Sequence, residues 1–270
     1  MSSSSSFVKV VLVTGGSSGI GQAICVRLAA QGHRVFGTTR KAMEQPNGYR
    51  LVDMDITDEA SVQRGVEEVL REAGRIDVVV NNAGLGIQGP AEDITPELAL
   101  TLLDTNVLGA HRVCRAVLPG MRDRKAGLII NISSLAANFG LPFRSFYSAS
   151  KAALERYTET LSMELEPFGI HVVSLQPGEY NTKIATSRLK PATISAVYEK
   201  AYARTMDVLG SSLHYSRDPD EVAVMVAEIM VTAKPKSVYR AAHGMQLFSI
   251  LAKKLFPGRR FEQMVMKHYK

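Results

Sequence analysis

The stretch Thr14-Gly15-Gly16-Ser17-Ser18-Gly19-Ile20-Gly21 decides how this chain folds. Before it, residues 7–13 form a short apolar run rich in valine with one lysine. After it, residues 22–30 continue a helical spacing of apolar side chains at Ile20, Ile24 and Leu28. The order is strand, glycine-rich turn, helix. Glycines there let the backbone approach a pyrophosphate, and the helix N-terminus offers free N–H groups and partial positive charge. A glycine triplet alone is weak evidence; its place between a buried strand and a helix carries the weight. The competing reading is a plain βα turn.

Outward from that turn, residues 34–39 read as a second strand ending in Arg40. An NAD site usually has an acid here for the ribose 2′-hydroxyl. This chain has Thr38, Thr39 and Arg40 instead, and a guanidinium with hydroxyls suits a 2′-phosphate, favouring NADP(H) over NAD(H). Asp55 closes a third strand, residues 51–55. It either accepts from an adenine amino group or caps a helix starting near Thr57-Asp58. Residues 75–80, apolar from Val78 to Val80, make a fourth strand ending in Asn81-Asn82-Ala83-Gly84, small and amide residues suited to a crevice floor. Thr95-Pro96-Glu97 opens a long helix to about Met121, with Asn106 expected to distort it from inside. Residues 127–132 and 170–175 are strands five and six, and residues 237–240 a last one. Strand and helix alternate, which implies a single doubly wound parallel sheet of about seven strands with helices on both faces, a Rossmann domain.

Ser134 lies at the end of strand five. Tyr147 and Lys151 follow, four apart, one turn from each other on one helix face. A nearby ammonium favours a phenolate, which makes a tyrosine a usable acid or base at neutral pH. By itself the pair is more often surface packing.

Together, Thr14–Gly21, Asn81–Gly84, Asn106, Ser134, Tyr147-Ser-Ala-Ser-Lys151 and Pro177-Gly178 resemble, in order and spacing, the short-chain dehydrogenase/reductase family over residues 7–240. The sequence is nearest the branch of hydroxysteroid and retinol dehydrogenases. The resemblance implies an NADP(H)-dependent oxidoreductase interconverting a carbonyl and a secondary alcohol. Tyr147 would donate or accept the proton, Lys151 would lower its pKa and bond the nicotinamide ribose, and Ser134 would orient the substrate oxygen. Asn106 would keep a relay water. The same resemblance assigns cofactor contacts to Gly15, Ser17, Ser18, Gly19 and Ile20, to Arg40, Asp55 and Ile56, and to Asn82, Ala83 and Gly84. Tyr147, Lys151, Pro177, Gly178 and Thr182 complete that set. It also implies a homodimer or homotetramer formed through the helices holding Asn106 and Tyr147. A cofactor-sensing binding protein, an epimerase and a dehydratase are the other readings.

Substrate contacts are expected at Ser134, Phe139, Leu141, Tyr147 and Tyr180, with Phe143, Tyr198 and Met206 as further apolar candidates. That composition suits a steroid, retinoid, fatty or aromatic carbonyl. Glu179 reads either as a polar contact beside Tyr180 or as solvent-facing, the second being favoured. Residues 182–216 break the strand–helix rhythm and read as a substrate lid over the domain, residues 7–245.

Composition bounds the rest. The 270 residues are 46% hydrophobic and 21% charged, with net charge +6. Lys253, Lys254, Arg259, Arg260, Lys267 and Lys270, against Glu262 alone, carry most of that charge. A basic body for nucleic acid is therefore not expected. The segment 246–270 reads as basic and amphipathic, suited to an anionic membrane surface, a partner subunit or the domain itself. Cys25 and Cys114 show no metal spacing and read as reduced thiols of a cytoplasmic protein; no metal is expected. Residues 1–6 read as a disordered serine-rich tail without signal-peptide features.

Overall fold

Alternating apolar side chains run in both directions out of every central strand. In β1 (Val10–Val13), Val11 and Val13 enter one core while Val10 and Leu12 enter the other. A computed structural model describes residues 8–40, 48–180, 188–213, 217–256 and 258–269. The expected serine-rich tail at 1–6 lies outside them, as do Thr182 and parts of the expected lid, residues 182–187 and 214–216.

The sheet adds β2 (Arg34–Thr39), β3 (Arg50–Asp53), β4 (Val78–Asn81), β5 (Gly127–Ile132), β6 (Ile170–Pro177) and β7 (Val238–Ala241). All pair in parallel, in the order β3-β2-β1-β4-β5-β6-β7. The chain winds outward from β1 to β3, then restarts at β4 on the other side. That reversal opens a crevice at the C-terminal ends of β1 and β4.

One face is covered by α1 (Gly19–Ala30) and, late in the chain, Asp220–Val231. The other is covered by α2 (Glu59–Ala73), by a helix broken into α3 (Pro96–Leu103) and α4 (Gly109–Arg124), and by α5 (Ser145–Leu165). Residues 196–213 form α6 (Ala196–Leu213), so Asp220–Val231 is α7; α8 (Met245–Leu255) and α9 (Arg259–His268) end the chain.

The helix expected from residue 95 to about 121, with a distortion at Asn106, starts as expected, with Thr95 accepting from Leu98 N and Pro96 in the first turn. It then widens into a π turn, Asp104–Leu108, around Asn106. Strand β4 begins at Val78, later than residue 75; just before it, the Asp77 carboxylate accepts from Val10 N at 2.8 Å and from Arg75 Nε. Helix α2 is capped by Asp58, which accepts from Ala60 N; Asp55 does not cap it.

Candidate active site

The glycine turn works as a close-packed cradle. Gly15 and Gly19 have φ of +66° and +54°, conformations open to glycine. Gly16 and Gly21 are there for space. A Cβ on Gly16 would lie 2.5 Å from Gly37 Cα, and one on Gly21 would lie 2.2 Å from Gly15 O. Ser18 stands at the N-cap of α1 without bonding the helix through its side chain, so the first-turn N–H groups are left for a ligand anion. The floor beside the turn is tied to β4: Thr14 Oγ1 accepts from both Asn82 N and Ala83 N at 2.9 Å, and Asn82 Nδ2 donates to Thr14 O at 2.9 Å. The turn fits a dinucleotide pyrophosphate, which Gly15, Ser17, Ser18 and Gly19 would hold, with Asn82, Ala83 and Gly84 as the floor beside it.

The β2 end divides the expected hydroxyl set. Thr38 is buried and its Oγ1 accepts from Gly15 N at 3.1 Å, so it braces the turn. Arg40 is exposed at the strand end. Asp55 Oδ1 accepts from Thr57 N and Thr57 Oγ1 at 2.9 and 2.7 Å. Partial burial raises its pKa, but the Thr57 bonds and the charges of Arg40 and Arg112 outweigh that and leave it below the usual carboxylate value. Ile56 turns inward against Gly109, where an added Cβ would meet it at 2.6 Å.

Next to the cradle lies a cavity of about 500 Å³, and Ser134, Tyr147 and Lys151 all line it. Each comes from a different construction. Ser134 follows β5 and its Oγ accepts from Ala136 N at 3.2 Å, capping a one-turn helix, which leaves its proton to donate. Tyr147 sits in the first turn of α5. Lys151, one turn on, is buried, and its Nζ donates to Ile132 O at 2.9 Å. Burial pulls its pKa down to about 8, with the buried carboxylate of Glu155 opposing the shift.

Asn106 holds the floor opposite. Its Oδ1 accepts from Leu85 N at 2.8 Å, and its Nδ2 donates to Leu85 O and to Ser150 Oγ at 3.0 Å each. The side chain thus imitates a strand partner for the segment after β4, at the point where the helix unwinds. Gly84 fits between Asn106 and Lys151, since a Cβ there would lie 3.1 Å from Asn106 Oδ1 and 3.7 Å from Lys151 Nζ. Deeper still, Asn81 Nδ2 donates to Asn131 Oδ1, and Asn131 Nδ2 to Thr158 Oγ1, both at 2.8 Å. This chain of bonds locks β4, β5 and α5 in register beneath the site.

Of the expected substrate residues, Phe139, Leu141 and Tyr180 line the cavity. Tyr180 has its hydroxyl engaged, donating to Ala241 O at 3.1 Å, and burial raises its pKa to about 12. Phe143 instead packs edge-on against Tyr198 and Tyr202, with centroids 6.5 and 5.5 Å apart. Ile20, Pro177 and Gly178 border the same space. A Cβ on Gly178 would collide with Gln246, the second residue of α8.

Several lining residues were not expected. Arg144, Arg188, Phe248, Phe261, Met264 and Tyr269 all face the cavity. Glu179, with solvent exposure the favoured of its two readings, lines it as the other reading has it, and its carboxylate lies 3.7 Å from Arg144 Nη1. No sequence signal marks Arg144 or Arg188 apart from other arginines. The segment 246–270 gave a signal of amphipathicity but not of its position.

The family profile described as short chain dehydrogenase matches residues 9–192. A 3-ketodihydrosphingosine reductase of Bacteroides thetaiotaomicron is 37% identical over 84% of this chain and 85% of its own length. Human 17-beta-hydroxysteroid dehydrogenase type 1 is 34% identical over 86% of this chain and 76% of its own. The structure of a short-chain dehydrogenase from Streptomyces avermitilis superposes with a TM-score of 0.80, at 32% identity, over 92% of this chain and 93% of the other. With the motifs, the sheet order and these similarities in agreement, the chain belongs to the short-chain dehydrogenase family and is an oxidoreductase.

Proposed function

We propose that this chain is an NADP(H)-dependent oxidoreductase that interconverts a carbonyl and a secondary alcohol, with Tyr147 as proton donor and acceptor, on an apolar substrate. The observation that carries this reading is the meeting of Ser134, Tyr147 and Lys151 on one cavity beside the glycine cradle. The bound nicotinamide supplies or accepts the hydride. The protein's work is position and proton transfer. The Ser134 hydroxyl donates to the substrate oxygen. Tyr147 gives that oxygen its proton in reduction and removes it in oxidation. Lys151 stands one turn away as the cation that supports proton movement and bonds the nicotinamide ribose. The Asn106 amide is committed to Leu85 and Ser150, so a relay water would use main-chain groups freed by the π turn.

Arg40 is the basis for NADP(H). It stands exposed at the end of β2 where a ribose phosphate would come, and no acid occupies the position. The test is a panel of ketones and alcohols run with NADPH and NADH side by side, for the wild type and Arg40→Asp. NADPH preference that inverts in the variant supports the reading; preference for NADH in the wild type contradicts it. Absence of turnover across the panel would favour a cofactor-sensing protein.

The apolar substrate class rests on the lining residues and on the carbonyl and alcohol chemistry in the relatives' names. Residues 188–213 are assigned to a lid: Leu189 pairs with Ile87 beside the cavity, and Leu209 lines it. The exposed Met245, Leu251, Leu255 and Phe256, with Lys253, Lys254, Arg259 and Arg260 near them, support weak contact with an anionic membrane surface. Co-sedimentation with anionic vesicles, lost on truncation at Gln246, tests this. Exposed Leu100, Leu108 and Met163 on the helices around Asn106 and Tyr147 support a homo-oligomer, which light scattering checks. No helix among the described residues is long and apolar enough to cross a membrane. The buried, unpaired Cys25 and Cys114 support a cytoplasmic setting, which cell fractionation tests.

A further inference from the structure

Two arginines stand in the cavity and the proposed proton transfer uses neither. Arg144 immediately precedes α5, and its side chain is only 9% exposed. Its Nη2 donates to Tyr269 Oη at 3.0 Å, while its buried Nε has no partner among the described residues. Arg188 is brought in by the short parallel bridge that sets Leu189 against Ile87, and its stem lies over Gly86, where a Cβ would sit 2.9 Å from Arg188 Cγ. Its Nη1 reaches Gln88 Oε1 at 3.4 Å, a long bond to a neutral group. Burial lowers the Arg188 pKa and the like charge of Arg144 lowers it further, against Glu179, Tyr147 and Tyr269. The two guanidiniums are therefore close enough to each other, and to Tyr147, to interact.

Counting charge among the described lining residues, the guanidiniums of Arg144 and Arg188 and the ammonium of Lys151 face one carboxylate, Glu179, in a mostly apolar space. A buried cation left without a full counter-charge is costly, and an incoming anion offsets that cost with charge-assisted bonds. Arginine presents its donors as a flat fork, matched to the paired oxygens of a carboxylate or phosphate. Much of the facing wall is hydrocarbon, Leu209, Phe248, Phe261, Met264 and Val265, with Gln246, Ser249 and His268 among it. Cationic groups thus gather beside Tyr147 while α8 and α9 give an apolar wall.

We infer that Arg144 and Arg188 form an anion subsite next to the reacting carbonyl, so that the substrate is an anionic amphiphile: a ketone or alcohol near a carboxylate or phosphate, with a hydrocarbon chain running along α8 and α9. This rests on the oxidoreductase reading for the word substrate, but the subsite itself is testable by binding. Dodecyl phosphate, dodecanoate and dodecanol are titrated calorimetrically into the full chain with NADP⁺ present. The wild type binds one or both anions at least about tenfold more tightly than the alcohol, in the range of a charge-assisted bond. Tighter phosphate binding assigns a phosphate head and tighter dodecanoate binding a carboxylate. In Arg188→Met the preference for the anion over the alcohol collapses, and in Arg188→Lys part of it returns. Equal binding of all three ligands by the wild type, or an anion preference that survives Arg188→Met, overturns the subsite. Both outcomes are read without turnover, so they are independent of any failure to find a reaction. Tyr269→Phe frees Arg144 from its neighbour, and unchanged anion preference there excludes an effect that acts only through packing of the tail.

Discussion

At the floor of the crevice, the polar contacts join strand ends that the sheet already holds side by side: Thr14 to Asn82, Gly15 to Thr38, Asn81 to Asn131. At the roof they join segments about a hundred residues apart or more, Arg188 to Gln88 and Arg144 to Tyr269. The floor is crowded enough that only glycine fits at Gly16 and Gly21, and an amide takes the place of a strand at Asn106. The roof is made of α6, α8 and α9, whose other faces leave Val197, Leu251 and Leu255 largely exposed. The difference separates two jobs. In the proposed function, the floor fixes where a dinucleotide and a proton can be, and the roof selects the carbon skeleton that reaches them. Floor changes should damage every reaction of the protein alike, whereas roof changes should re-rank substrates.

The largest effect is expected at Lys151. Lys151→Met should cut kcat on every substrate by about a hundredfold to ten-thousandfold, the range of positioned acid–base catalysis. Steady-state rates across short and long ketones check this, and a loss confined to one chain length would erase the distinction between floor and roof. Gly21→Ala comes next. Its Cβ has backbone on the far side, so the turn must shift; about 1–3 kcal/mol of stability should be lost in urea unfolding, together with NADPH binding.

Buried Lys151 also gives a pH signature. Its native pKa of about 8 lies below its ordinary 10.5, so in that window the unfolded chain holds a proton that the native one has released. Stability should therefore rise with pH by about 1 kcal/mol per unit above about 8, and Lys151→Met should lack the rise. Parallel urea titrations of both proteins measure it; identical slopes would remove Lys151 from the buried cation role. The smallest effect belongs to the roof. Phe248→Ala should raise KM for a long-chain ketone by about fivefold, from roughly 1 kcal/mol of lost apolar contact, and leave a short ketone unchanged.

The same contrast explains what the sequence made legible. Strands β2 and β5 match their expected bounds because short apolar runs end at turn residues. The cradle was readable because glycine is demanded by geometry that no other residue satisfies. Asn106 was readable as a distortion because an amide inside a helix is anomalous. Asp55 left two readings, and Asp58 took the cap because it stands one residue before the first helical residue. Arg144, Arg188 and Tyr269 were not legible. They are ordinary residue types, and their meeting depends on how a bridge at Leu189 and a C-terminal helix pair fold back over the sheet. Local periodicity carries no information about that.

The central claim is that hydride passes between a nicotinamide and a carbonyl carbon in the cavity lined by Ser134, Tyr147 and Lys151. The most direct measurement uses NADPH deuterated at the transferable position of the nicotinamide, incubated with a long-chain ketone, with mass spectrometry of the alcohol formed. The expected result is one deuterium on the carbinol carbon with the wild type, and about a thousandfold less product with Tyr147→Phe while NADPH binding is kept. Deuterium transfer at the wild-type rate in Tyr147→Phe, or an alcohol carrying no deuterium, would contradict it.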